Sequence, residues 1–219
     1  MATGKKRGKN QDSKGDRTRK KILRMARKVF SQHPYHSASM RMIAAQADID
    51  HPLIVYYFPN KAALFETIVK DICDEFTKSA AEWLEEILKM KVSEGFMTYV
   101  DRLLDFHHQN PEVLRILALN MTHTESVASI PGFPYFLQLI DVIVKFFRAK
   151  IAPAAPDRMI RIFMHNFIYQ MISLLGASHS VAKIQGMKPG SAQYREWVRE
   201  SLGFIFLPAL RKIILPPAT

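Results

Sequence analysis

Residues 39–65 read SMRMIAAQADIDHPLIVYYFPNKAALF. Two short apolar-periodic segments flank Asp48-Ile49-Asp50, and two tyrosines and a lysine follow within a few residues. Ser39 is a good N-cap for a helix through Ala47, and Asp50 for the next, because a side-chain oxygen can accept from a free first-turn N–H. Pro52 then falls in a first turn, where a missing N–H costs little. The second segment ends near Phe58-Pro59, and Asn60 caps a longer helix. Two short helices joined by a three-residue turn make a helix-turn-helix, whose second helix can enter a DNA major groove. Met42, Ile43, Ala47, Ile49, Ile54 and Phe58 would hold three N-terminal helices together. Ala44 and Ala45 let two backbones approach closely.

The remaining polar residues then have candidate roles. Ser39 and the N–H groups beside it can take a phosphate at a helix N-terminus. The hydroxyls of Tyr56 and Tyr57, Lys61, and Arg17 can reach phosphate oxygens, contacts that fix register without reading sequence. Base edges fall to Arg41, His51, Pro52 and Leu53. Arg41 suits a guanine and Leu53 a thymine methyl.

The chain has 219 residues, 48% of them hydrophobic, enough for a sizeable core. Its charge is lopsided. Residues 1–30 hold 12 Lys/Arg against 2 Asp/Glu, and the rest are nearly balanced, so almost all of the net +11 sits in one seventh of the chain. Such a localised field favours a polyanionic partner. Residues 1–15 are polar and read as a disordered basic tail. From Arg17, capped by Asp16, the charges ride on an amphipathic helix carrying Ile22, Leu23, Ala26, Val29 and Phe30, which Pro34 ends. A lone Cys73 excludes an internal disulfide and a Cys-rich metal site. No apolar run suits a signal or a membrane span, so a cytoplasmic protein without membrane contact is expected.

From residue 60 onward the sequence reads as helices throughout. They run from 60 to about 89, from Ser93, from Asn110-Pro111, from Tyr135 to Ile151, from Arg158, capped by Asp157, to about Ala182, and from Gln193 to about Leu215. No alternating strand pattern occurs. The expected fold is all-α, with about nine helices. Residues 158–182 and 193–215 are apolar around more of their circumference than one buried face needs, so they either fill a core or meet a partner.

The run from Arg17 to Phe65 resembles the DNA-binding domain of the TetR (tetracycline repressor) family. The resemblance rests on TRKKILRMARKVF (18–30), IAAQADID (43–50) and LIVYYFPNKAALF (53–65). The family's aromatic–Phe–turn–Lys pattern, with Leu three residues on, is met by Tyr57, Phe58, Pro59-Asn60, Lys61 and Leu64. Three positions depart from it. Pro34 precedes Tyr35 where a glycine is usual, Val55 stands where a tyrosine is common, and Ala47-Asp48 replaces Ala-Gly at the turn. Aspartate tolerates the left-handed backbone that such a turn wants better than most residues.

The resemblance implies a helix-turn-helix domain over 16–62 and a helical effector-binding and dimerisation domain over 63–219. It implies a ligand-responsive transcriptional regulator, a repressor, binding a near-palindromic operator in double-stranded DNA as a homodimer. Its two recognition helices would sit about one helical turn apart, roughly 34 to 36 Å. Pairing residues would include Ile162, Ile168, Ile172, Trp197, Leu202, Ile205, Phe206 and Leu210. A small apolar or amphipathic ligand would bind among Phe106, His107, Met121, Phe136, His165, Tyr169 and Met171, and swing the helix that starts at residue 60. Two other readings stand beside this one: a constitutive DNA-binding protein without a ligand, and an all-α enzyme. For the enzyme no catalytic constellation is legible, since no phosphate loop and no Ser/His/Asp arrangement stands out. Neither a metal nor a cofactor is expected: no two histidines sit at i, i+4, and His107-His108 point to different faces. Asp101 and Asp105 read as a solvated face.

Overall fold

The computed structural model describes residues 13–121 and 129–214. The tail at 1–12, His123 and the chain beyond Ile214 lie outside the described residues. The elements are α1 (Lys14–Gln32), α2 (Met40–Ala47), α3 (His51–Tyr57), α4 (Lys61–Ile87), α5 (Val92–Gln109), α6 (Glu112–Met121), α7 (Phe133–Lys150), α8 (Asp157–Met171), a π-helical turn (Ile172–Gly176), α9 (Ser178–Ile184) and α10 (Ala192–Ile214). The fold is all-α, with ten α-helices and no strand among the described residues.

Helix starts follow local chemistry, with two corrections. The cap of α1 is Ser13, not Asp16. Asp16 N–H donates to Ser13 Oγ at 3.1 Å and Ser13 N–H to the Asp16 carboxylate at 3.2 Å, a reciprocal capping box that begins the helix three residues early. Residues 13–15 thus belong to the helix and not to a tail. Before α8 the cap is Pro156, and Asp157 is the first helical residue. Ser39 and Asn60 cap as expected, accepting from Met42 N–H at 3.2 Å and Ala63 N–H at 2.8 Å. Asp50 precedes α3 without a side-chain cap bond.

Two clusters of buried side chains organise the molecule. One joins α1–α3 to α4, α6 and the start of α7 through Ile22, Phe30, Ile54, Phe65, Ile116 and Phe133. The other packs α5 against α8 and α10 through Val100, Phe163, Phe167, Leu202 and Phe206. Asp101 and Asp105 are not a merely solvated face. They pair with Arg199 at 2.8 Å and Arg195 at 3.0 Å and tie α5 to α10.

The single helix expected over 158–182 is interrupted by the π-turn, and Gly176 shows why. A Cβ there would lie 2.5 Å from the Leu114 carbonyl oxygen and 2.8 Å from Ala118 Cβ. Glycine at 176 therefore lets the backbone of the π-turn lie directly against α6.

Candidate nucleic-acid interface and ligand cavity

The turn between α2 and α3 is closed by Asp48 at φ 49°, ψ 58°, the one positive-φ residue other than glycine among the described residues. Asp48 N–H returns to the Ala45 carbonyl at 3.2 Å and Ile49 N–H to the Ala44 carbonyl at 3.1 Å. The bend aims α3 so that Ile54 is buried while His51, Pro52, Leu53, Val55 and Tyr56 face outward. Tyr56 is 80% exposed. Its ring meets that of Tyr57 edge-on at 5.2 Å between centroids. Tyr57 is half-buried, with its hydroxyl beside Gly15 in the first turn of α1. Arg17 and Arg41 are exposed. Val55, an apolar residue, is also exposed on this face. Its spacing of three from Pro52 placed it on the outward face.

Lys61 is the correction in this region. Its ammonium donates to the carbonyls of Tyr35 at 2.7 Å, Ala38 at 2.9 Å and His36 at 3.4 Å, and lies 4.5 Å from the Tyr35 ring centroid. An ammonium has three protons, and here three carbonyls take them. Burial holds its pKa below the ordinary lysine value. Lys61 therefore fixes the loop between α1 and α2 and does not project toward a phosphate.

Two further polar residues, both unforeseen, join the head (residues 13–60) to the body (α4–α10). Arg115 of α6 donates to the Ser31 carbonyl at 2.6 Å, at the end of α1. The buried Asn120 accepts Tyr35 N–H at 2.8 Å and donates to the Ile116 carbonyl at 2.8 Å. On the other side of α1, Arg27 forks onto the Glu75 carboxylate of α4 at 2.8 and 3.1 Å.

Behind the head, a cavity of about 100 Å³ lies between α4, α5, α6, α7 and α8. Phe106, His107, Phe136 and Met171 line it as expected, with Val69, Cys73 and Phe76 of α4. Met121 does not; it packs against the first cluster. His165 and Tyr169 lie on the other side of α8, in a surface groove with Leu137 and Arg161. The 3.6-residue period turns them away from Met164, Phe167 and Met171. A second cavity of about 230 Å³ adjoins the first, sharing Tyr99, Ile143, Met164 and Phe167. Nδ1 of His107 is the one buried side-chain polar atom without a hydrogen-bond partner among the described residues. Burial, and secondarily the charge of His108, pushes its pKa down to about 4.

The pairing residues divide. Leu202, Phe206, Leu210 and Ile172 are buried in the chain's own core, and Ile168 and Trp197 are half-buried. These six hold α8, the π-turn and α10 to the rest of the chain. Ile162 and Ile205 face out, and Phe204 beside them is 86% exposed.

The model of bacterial regulatory proteins of the tetR family matches residues 22–68, from α1 through the first turns of α4. This stretch therefore carries a TetR-type N-terminal domain. Among TetR-family relatives, the chain is 29% identical over 108 residues to the HTH-type transcriptional repressor NicS of Pseudomonas putida, covering 49% of this chain and 50% of NicS. It is 27% identical over 105 residues to a probable HTH-type transcriptional regulator, YttP, of Bacillus subtilis, covering 48% and 51%. The chain thus spans about half the length of the curated relatives it matches. The likeness of fold reaches further. A TetR-family structure from Mesorhizobium loti superposes with a TM-score of 0.65 at 12% identity, covering 92% of this chain and 98% of that one. The fatty acid degradation regulator FadR of Bacillus halodurans does so at 0.63 and 12%, covering 95% and 98%. No helix among the described residues is long and apolar enough to cross a membrane.

Proposed function

We propose that this chain is a ligand-responsive transcriptional repressor that binds a near-palindromic DNA operator as a homodimer. The observation that carries the reading is the outward face of α3, set by the left-handed turn at Asp48, with an exposed tyrosine and exposed Arg41 and Arg17 around it. Residues 13–60 form the DNA-binding head and α4–α10 the effector and dimer body. Tyr56, Tyr57, Arg17 and the N-terminus of α2 at Ser39 position the phosphates. Arg41, His51, Pro52, Leu53 and Val55 lie against base edges. A second copy covers Phe204, Ile205 and Ile162, apolar side chains that one chain leaves in water. A ligand in the cavity presses on Val69, Cys73 and Phe76 of α4. The same helix begins at Lys61 under the head, so its displacement changes the spacing of the two heads. The ligand favours one spacing and the operator the other, which couples the two binding events.

The test is selection of sites from a random duplex library, followed by affinity measured between about 50 and 200 mM salt. A two-fold-related motif and a linear fall of log affinity with log salt are expected. A flat salt response, or no enriched motif, removes the reading. Phe204→Asp should leave the fold intact and convert a dimer to a monomer in sedimentation. A monomeric wild-type chain removes the dimer.

A further inference from the structure

We propose that the cavity behind the head takes an uncharged, hydrocarbon-rich molecule bearing one hydroxyl, a phenol or an alcohol, whose hydroxyl hydrogen-bonds to Nδ1 of His107. This rests on the reading of the body as an effector-binding unit and names the chemistry of the effector.

The first support is an unmet hydrogen bond. Buried polar side-chain atoms are nearly always paired. The contacts between head and body obey this closely, even for the ammonium of Lys61 and the amide of Asn120. His107 Nδ1 is the exception among the described residues, and it belongs to a side chain lining this cavity. Its neighbour Asn110 donates one amide proton to the Phe106 carbonyl at 3.1 Å.

The second support is charge. Among the described residues, no Asp, Glu, Lys or Arg lines this cavity. Its titratable side chains are Cys73, Tyr99 and His107. Burial pushes the first two up to about 12 and His107 down to about 4, so all three are neutral near pH 7. At the His107 end a carboxylate or an ammonium would enter a desolvated space without a counter-charge, which is strongly unfavourable; Lys91 and Lys150 line only the neighbouring cavity. An uncharged molecule meets no such penalty.

The third support is the choice of head group and size. In a neutral imidazole each nitrogen is a donor in one tautomer and an acceptor in the other. A hydroxyl both donates and accepts, so it answers either tautomer, whereas a carbonyl answers only one. An apolar cavity of roughly 150 Å³ can hold a benzene ring. This one, at about 100 Å³, is of that order, and Tyr99 and Phe167 also line the neighbouring cavity of about 230 Å³. A ring against His107 with a short alkyl substituent directed past Tyr99 uses both.

The experiment is calorimetry on the full chain near neutral pH with three matched probes: 4-propylphenol, propylbenzene and 4-propylbenzoate. The phenol should bind up to about tenfold more tightly than propylbenzene, the span one hydrogen bond supplies. The benzoate should bind more weakly than either. In His107→Phe the phenol should fall to the level of propylbenzene, while His107→Gln, which keeps a polar partner, should retain a preference. Equal binding of phenol and propylbenzene, a benzoate that binds tightest, a phenol preference surviving in His107→Phe, or no binding of any probe would each overturn the proposal. The ranking on the wild-type chain decides even if a variant fails to fold. Salt-dependent DNA association is measured on the same preparations. DNA binding without probe binding overturns the ligand assignment alone. Probe binding without DNA binding overturns the regulator reading alone.

Discussion

Lys61 and His107 are both partly buried polar residues at helix ends, one beneath the head and one in the body. Lys61 Nζ has carbonyls at 2.7 and 2.9 Å and a third at 3.4 Å. His107 Nδ1 has none among the described residues. The contrast extends to their surroundings. The head's turn and the starts of α1 and α2 are closed by its own groups, its loop is closed by Lys61 and Asn120 from the helices beneath it, and its exposed side chains face outward on α3. The body leaves its unmatched group facing inward, in an apolar cavity. A surface that must meet a rigid polyanion benefits from completed internal bonding, because its geometry must not depend on the partner. A cavity that must report a small molecule needs an interaction that only the molecule completes.

The largest effect that would break this contrast is the pH response of stability. His107 has a folded pKa of about 4 against an ordinary 6.5. Between those values the unfolded chain takes up a proton that the folded chain refuses. Stability from this site is therefore complete above about pH 6.5 and is lost as pH falls toward 4, by on the order of 2 to 3 kcal/mol. Urea unfolding at several pH values should show this loss in wild type and a shallower one in His107→Phe. Identical profiles would mean that the imidazole is solvated. Next is Lys61→Ala, which leaves the Tyr35 and Ala38 carbonyls without their donor. A loss of about 2 kcal/mol in chemical denaturation is expected, with weaker DNA binding as a consequence. Unchanged stability, with a salt slope lower by about one, would restore the phosphate role to this lysine. Arg41→Ala should cost about 1 to 2 kcal/mol at one base pair and relax preference there, as read by competition among single-base operator variants. Uniform losses would move Arg41 to the phosphate set. The smallest effect is Tyr56→Phe, about 0.5 to 1 kcal/mol on every operator alike, the worth of one exposed hydroxyl contact.

The helix boundaries and the turn were legible because their causes are local. Ser39 and Asn60 cap helices within three residues of themselves, and the tolerance of Asp48 for a left-handed backbone belongs to that residue. Errors appear where a cause is distant or shared. Ser13 and Asp16 cap α1 together, and reading Asp16 alone put the start three residues late. The π-turn after Met171 packs against α6, a helix more than fifty residues earlier in the chain. Of the expected pairing residues, Leu202, Phe206 and Leu210 are as apolar as Phe204 and Ile205. Hydrophobicity could not say which side of α10 the chain itself would cover.

Period, capping and net charge are properties of neighbours along the chain, so they were enough to read an all-α chain, a basic N-terminal region and a helix-turn-helix with Tyr56 on its outer side. The tertiary structure alone decided that the ammonium of Lys61 turns inward to three carbonyls, that His165 and Tyr169 lie outside the cavity that His107 lines, and that α6 bonds to the end of α1. Those outcomes depend on which donors and acceptors arrive together from distant segments. A side chain's type states what it can bond, and only its packed neighbours settle what it does bond.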